Sequence, residues 1–166
     1  MPDGLRLSRA PGSASRLERL AVLVATLGPV GRVPVAPGTA GSAVAALFLW
    51  VVPLPAPAHA AWLAAVVVVG TWAAHRAAPA LGAKDPGAIV IDEVAGMTLT
   101  MLTVPITPAT LVTGFLLFRA FDVVKPPPAR ASQAIPGGVG VVIDDLVAGL
   151  YAFLALAAVR VVLGWP

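Results

Sequence analysis

Three long stretches without a permanent charge constrain this chain more than anything else in it. Residues 33–71 and 94–118 carry no permanent charge, and Arg160 alone interrupts 146–166. Hydrophobic residues make up 58% of the sequence and charged residues only 11%, too few to clothe a water-soluble surface of 166 residues. The pattern predicts a single domain, residues 15–166, folded against a bilayer with several passes.

Proline and glycine cut these stretches into helices. Residues 1–14, rich in Arg, Ser, Gly and Pro, read as a disordered basic tail. Ser15 and Glu18 have capping-box spacing, and Leu17, Leu20, Ala21 and Val24 form the apolar face of an amphipathic helix reaching about Leu27. Residues 28–38 hold three prolines and three glycines and exclude regular helix. Further helices are expected over about 39–52, 58–78, 92–103, 108–123 and 143–163. The expected fold is all-α, a compact multi-pass membrane helical bundle of about six helices.

Some of these helices are short or only partly inserted. The runs 43–54 and 94–104 reach only ~17 Å as helices, against a hydrocarbon core of ~30 Å. Residues 94–118 read either as a hairpin or as one kinked span. A hairpin returns 118–125 to the side of Asp92 and Glu93, whereas a single span separates them by the membrane. Under the hairpin, the basic N-terminus, 38–42, 76–93, 119–130 and 137–145 share one face. The positive-inside tendency makes that face cytoplasmic.

The net charge of +3 does not point to nucleic acid. Arg6, Arg9, Arg16, Arg19 and Arg32 cluster near the N-terminus, and no basic stripe is interleaved with aromatics. They suit an anchor toward anionic lipid. A signal peptide over 16–36 is the competing reading, with a short apolar core at 21–27. The chain has no cysteine, so a metal would need oxygen ligands or His59 and His75, which look incidental.

Asp85, Asp92, Glu93, Asp122, Asp144 and Asp145 are six of the eight acids, set at the ends of apolar runs and partly as adjacent pairs. Carboxylates are costly beside a low-dielectric phase, so pairs of them suggest a shared hard cation. Alternatively they mark helix ends. Asp92 and Glu93 open an apolar helix, and adjacent side chains diverge around it, so unequal use of the two is expected. Arg119, Asp122 and Lys125 recur every three residues. They form either a salt-bridged stripe or a phosphate clamp around a metal ligand. In 37–42, Gly38, Thr39, Gly41 and Ser42 open a helix where free amides favour an anion, or else permit close helix packing. In 137–149, a flexible glycine turn precedes Asp144 and Asp145 at a helix entrance.

Taken together, Pro37-Gly38-Thr39 with Gly41-Ser42, Ile91-Asp92-Glu93 with Gly96, Phe118-Arg119 with Phe121-Asp122 and Lys125-Pro126, and Gly137-Gly138 with Gly140, Asp144-Asp145 and Ala148-Gly149 resemble the phosphatidylglycerophosphatase A family. The resemblance runs from about Gly28 to the C-terminus. It departs at 131–135, where members of that family carry further charge. It implies a mostly helical enzyme of the bacterial inner membrane that hydrolyses the terminal phosphomonoester of phosphatidylglycerophosphate with Mg²⁺.

On that reading Asp92, Asp144 and Asp145 are the expected ligands, with Glu93 or Asp122 as ligand or base. Thr39, Ser42, Arg119 and Lys125 are expected at the phosphate. An aspartyl-phosphate on Asp92 or Asp144 is the second mechanism. The residues alone also leave open a small ion-coupled transporter, which predicts acids at mid-helix depth, and a non-catalytic membrane assembly subunit.

Overall fold

The computed structural model describes residues 15–82, 87–132 and 134–165. The tail 1–14, with Arg6 and Arg9, and the loop acid Asp85 lie outside the described residues. Among the described residues the regular structure is entirely helical: α1 (Arg16–Ala25), α2 (Pro37–Val51), α3 (Ala56–Ala80), α4 (Ile91–Thr100), α5 (Pro108–Val124), α6 (Ala129–Ser132) and α7 (Gly138–Leu163). A 3₁₀ turn at Val30–Arg32 follows α1.

Boundaries fall where local chemistry places them. Ser15 caps α1 through a reciprocal box with Glu18, and Thr107 does the same for α5 with Thr110. Proline begins α2 and α5, and Pro53 and Pro55 separate α2 from α3. The four-residue α6 has no counterpart in the sequence reading.

The short helix α4 is the centre of the molecule, packed by α2, α3, α5 and α7. Ile91, Val94, Ala95, Gly96, Met97, Thr98 and Thr100 on it are all buried. Thr98 and Thr100 hide their hydroxyls by donating back to Val94 O at 2.6 Å and Gly96 O at 2.9 Å. Glycine sets the closest approaches. A Cβ on Gly96 would lie 2.6 Å from Phe118 Cζ and 2.7 Å from Asp145 O, so α4, α5 and α7 meet there at backbone distance.

Residues 94–118 form a hairpin, not one kinked span. Glu93 at the start of α4 lies 3.9 Å from Arg119 near the end of α5. Gly38 at the start of α2 abuts Glu93, and Gly138 at the start of α7 abuts the Thr71 carbonyl on α3. One end of the bundle therefore collects the polar segments. The other holds 52–55 and 101–107, with buried His59 Nε2 3.2 Å from Thr98 O.

Two sequence expectations change. The last helix begins at Gly138 instead of about Ile143, which puts Asp144 and Asp145 in its second turn rather than at its entrance. Its glycines serve packing: a Cβ on Gly138 would overlap Thr71 O, and one on Gly140 would overlap Ile135 O. On α1 it is Ala21 and Ala25 that are buried, with α3 as the neighbour, while Leu17, Leu20 and Leu23 are 57%, 47% and 58% exposed. Alanine lets the two backbones approach, and the leucines turn outward.

Two helices, α3 and α7, are long and apolar enough to cross a membrane. At 1.5 Å per residue they reach ~37 and ~39 Å. Neither α2 nor α5 reaches that length.

Candidate active site

Asp92 and Glu93 lie in the first turn of α4, where the helix dipole favours negative charge. The chain enters that turn under restraint. Val90 donates to Ala25 O at 2.8 Å, and a Cβ on Gly41 would lie 2.9 Å from Val90 Cβ. Asp122 comes from the last turns of α5 and the adjacent pair Asp144 and Asp145 from α7; all three, like Asp92, are buried.

Lys125 binds these elements together. It is the C-cap of α5, in left-handed backbone with φ 47° and ψ 64°, and Pro126 prevents the helix from continuing. Its Nζ donates to Asp122 Oδ1 at 2.8 Å, Asp144 Oδ2 at 2.8 Å and Asp145 Oδ1 at 3.3 Å. Burial opposes the ammonium charge, yet Asp145, Asp122 and Asp144 together outweigh it and raise the lysine above its ordinary pKa. It is a permanent cation.

Arg119 donates to the second oxygen of Asp122, approaches Glu93 at 3.9 Å and reaches Ser42 Oγ at 3.4 Å. The Ser42 hydroxyl donates back to Gly38 O at 2.8 Å. Because α2 begins at Pro37, the Ser42 amide falls inside the helix and is not free for an anion, whereas those of Gly38 and Thr39 fall in its first turn.

Asp92, Glu93, Asp122, Lys125, Asp144 and Asp145 line one cavity of about 270 Å³, rimmed by Gly87, Ile89, Val123 and Val141. Thr39, Ser42 and Arg119 are not on its wall; Arg119, with Ser42 beyond it, stands behind Glu93. The expected phosphate-binding set is thus divided, with Lys125 alone facing the cavity. The sequence reading offered Gly38 for an anion or for helix packing and did not pair it with Glu93, whose Oε1 an added Cβ would strike. Nothing in one dimension shows that contact.

Asp92, Glu93 and Asp145 each offer one oxygen, all within 4.8 Å of one another. Oxygens around a cation with ~2.1 Å bonds sit ~3.0 to ~4.2 Å apart, so the trio would have to draw together by roughly half an ångström or more to share one ion. The adjacent Asp92 and Glu93 do reach a common point, contrary to the expected divergence, because both side chains lean into the same cavity from the helix start. Asp144, the other expected ligand, is outside this trio; its Oδ2 takes Lys125, as Asp145 Oδ1 also does, and its Oδ1 is buried.

Asp92 Oδ1, Glu93 Oε2 and Asp145 Oδ2 are buried and accept no hydrogen bond from the described residues. Burial pushes the Asp92 carboxyl well above the usual range, reinforced by Glu93 and Asp145; burial likewise raises Glu93. Acceptors buried without donors are costly, and an all-oxygen set of this kind fits a hard divalent cation. Five carboxylates against Lys125 and Arg119 leave a formal −3 when ionised. A dication would reduce it to −1.

A helical bundle that gathers buried acids and a saturated lysine around a cavity at one end has the build of an acid-cluster enzyme. Comparison with known proteins says which one. The model of the phosphatidylglycerophosphatase A family matches residues 23–160, so the chain belongs to that family and is a phosphatase. A Bacteroides thetaiotaomicron protein provisionally named phosphatidylinositol-3-phosphatase is 39% identical over 155 residues, 87% of this chain and 96% of that one. Phosphatidylglycerophosphatase A of Escherichia coli is 36% identical over 123 residues, 72% of each chain. That of Haemophilus influenzae is 31% identical over 95 residues, 56% of this chain and 58% of its own. No solved structure matches. Membership in a phosphatase family sets aside the transporter and assembly-subunit readings.

Proposed function

We propose that the chain is a multi-pass enzyme of the bacterial cell membrane that hydrolyses phosphatidylglycerophosphate to phosphatidylglycerol and inorganic phosphate, with Mg²⁺ as cofactor and its site facing the cytoplasm. One observation carries this reading. Asp92, Glu93 and Asp145 bring one oxygen each within 4.8 Å of one another beside a cavity that Lys125 lines, and each of the three has a buried oxygen without a hydrogen-bond partner among the described residues. The names of the Escherichia coli and Haemophilus influenzae relatives supply the substrate.

Asp92, Glu93 and Asp145 would hold the cation, which when bound would neutralise phosphate charge and acidify water in the site. Lys125 keeps Asp144 and Asp145 in place and, among the described residues, is the cation on the cavity wall that would face the phosphate. Asp122 has one oxygen on Arg119 and the other on Lys125, which makes it a positioning residue and not the base. Arg119 steadies Glu93 from behind. In hydrolysis water forms the new bond to phosphorus as the bond to the glycerol oxygen breaks; a cluster carboxylate takes the water's proton and returns it to the glycerol oxygen, which leaves as a hydroxyl. Attack by Asp92 or Asp144 through an aspartyl-phosphate is the alternative. Rapid-quench trapping of a phosphoenzyme distinguishes the two.

Fully ionised, the cluster would repel a phosphate dianion, a charge that a bound cation would offset. The Bacteroides thetaiotaomicron relative favours a second reading, a phosphoinositide monoester. Both substrates are phosphomonoesters on a glycerophospholipid headgroup. The test is phosphate release from each lipid in detergent, with Mg²⁺ or EDTA, for wild type and Asp145→Asn. We expect Mg²⁺-dependent turnover of phosphatidylglycerophosphate, reduced roughly 10²-fold or more by the substitution. Turnover indifferent to EDTA would overturn the cofactor; preference for the phosphoinositide would overturn the substrate.

A further inference from the structure

The outward leucines of α1 are not used by the site just described. The helix buries Ala21 and Ala25 and turns Leu20 and Leu23 away from them together with Arg16 and Arg19, with Leu17 exposed at the flank. At 100° per residue Arg16 falls between Leu20 and Leu23, and Arg19 borders Leu23. Water does not favour such a face. Acyl chains would take the leucines, and lipid phosphates the arginines.

Beside this face lies a groove of about 490 Å³ between α1, the turn after it and the end of α3, lined by Arg19, Arg32, Val22, Leu23 and Pro29. It presents two guanidinium groups and an apolar wall. Glu18 also lines it, but one of its oxygens accepts from Ser15 N at 2.7 Å in the capping box and is committed to the helix start. The unit is fixed at the polar end of the bundle: Ala25 O receives Val90 N, and a Cβ on Gly31 would overlap Ala88 O. Those contacts adjoin the residues that lead into Asp92 and Glu93.

We propose that α1 lies along the membrane surface as a dock for anionic phospholipid, its leucines in the acyl boundary and Arg16, Arg19 and Arg32 on phosphates of the leaflet. This rests on the membrane reading of the preceding section but not on the phosphatase chemistry. Each arginine near an anionic surface strengthens attachment roughly five-fold. Charge complementarity selects the leaflet over a second copy of the chain, whose α1 would bring the same arginines.

The absence of cysteine makes the test direct. Leu20→Cys, Leu23→Cys and, as a control on α7, Leu154→Cys would each carry an environment-sensitive fluorophore in the full chain. The proteins would be reconstituted in phosphatidylcholine nanodiscs with or without phosphatidylglycerol. Nitroxide lipids labelled near the headgroup or deep in the acyl chain report depth, and iodide reports water.

Positions 20 and 23 are expected to be quenched more by the shallow nitroxide than by the deep one. Phosphatidylglycerol should increase that quenching at least two-fold, and Arg19→Gln with Arg32→Gln should abolish the increase. Iodide quenching at 20 and 23 equal to that of free dye, or indifference to phosphatidylglycerol, overturns the dock. So does a blue shift without nitroxide quenching, which would mean cover by another copy. If Leu154→Cys is quenched by the deep nitroxide while 20 and 23 face water, the dock alone fails. If position 154 also faces water, the membrane reading fails and takes the dock with it.

Discussion

Lys125 meets three carboxylates from two helices in a backbone conformation that most residues avoid. An αL residue other than glycine costs about 1–2 kcal/mol, and here it aims the ammonium back across the cavity. Lys125→Met would leave Asp122, Asp144 and Asp145 facing one another without it. A loss of about 3 kcal/mol in stability is expected, with turnover down at least ~10²-fold, read by thermal unfolding and phosphate release. Lys125→Arg should not restore activity, since a planar fork cannot serve three oxygens as a compact ammonium does. Gly38 makes the opposite prediction. The Cβ of Gly38→Ala would strike the far end of the Glu93 side chain, which can swing aside at little cost to the fold. Mg²⁺ affinity should fall about 10- to 100-fold, while the unfolding midpoint stays within ~2 °C of wild type.

Between elements, Gly96 decides how closely α4, α5 and α7 can meet. The Cβ of Gly96→Ala would meet a buried aromatic ring and a backbone carbonyl, neither of which can yield. The expected cost is about 2–3 kcal/mol, a midpoint drop of ~5–10 °C, whereas Gly87→Ala, with nothing near it, should change stability by under about 0.5 kcal/mol. Parallel melting curves would check the pair. At this scale the sequence was readable where proline punctuates it: Pro37, Pro53, Pro55 and Pro108 mark α2, α3 and α5 within two residues. It was not readable at α7, because Gly137-Gly138-Val139-Gly140 has the composition of a turn while Gly138 and Gly140 act as packing surfaces against α3 and Ile135. The acids themselves stood out because charge is rare in the chain. That an oxygen of Glu93 comes within 4.8 Å of those of Asp92 and Asp145, while Lys125 bridges Asp144 and Asp145, depends on side-chain reach between α4, α5 and α7, which spacing along one strand of sequence does not encode.

For the whole molecule, the alternation of α2, α3, α4, α5 and α7 carries the polar segments to one end and the proline turns to the other. In the proposed topology Val35, 78% exposed beside the start of α2, faces the cytoplasm, and Ala56, exposed at the start of α3, faces the opposite compartment. A membrane-impermeant maleimide should label Val35→Cys only in inside-out vesicles and Ala56→Cys only in right-side-out ones. The reverse pattern would invert the orientation; labelling of both from one side would remove the crossings.

The second-turn position of Asp144 has a further effect. Six residues of helix sink it ~9 Å below the start of α7, in a recess whose walls are more negative than positive. In the proposed orientation a nucleotide or sugar phosphate from the cytosol would meet that repulsion untethered, whereas the headgroup of the proposed lipid substrate, held by two acyl tails, would be kept at the mouth regardless. Depth and charge together would exclude the cell's soluble phosphate pool from a catalyst that shares its compartment.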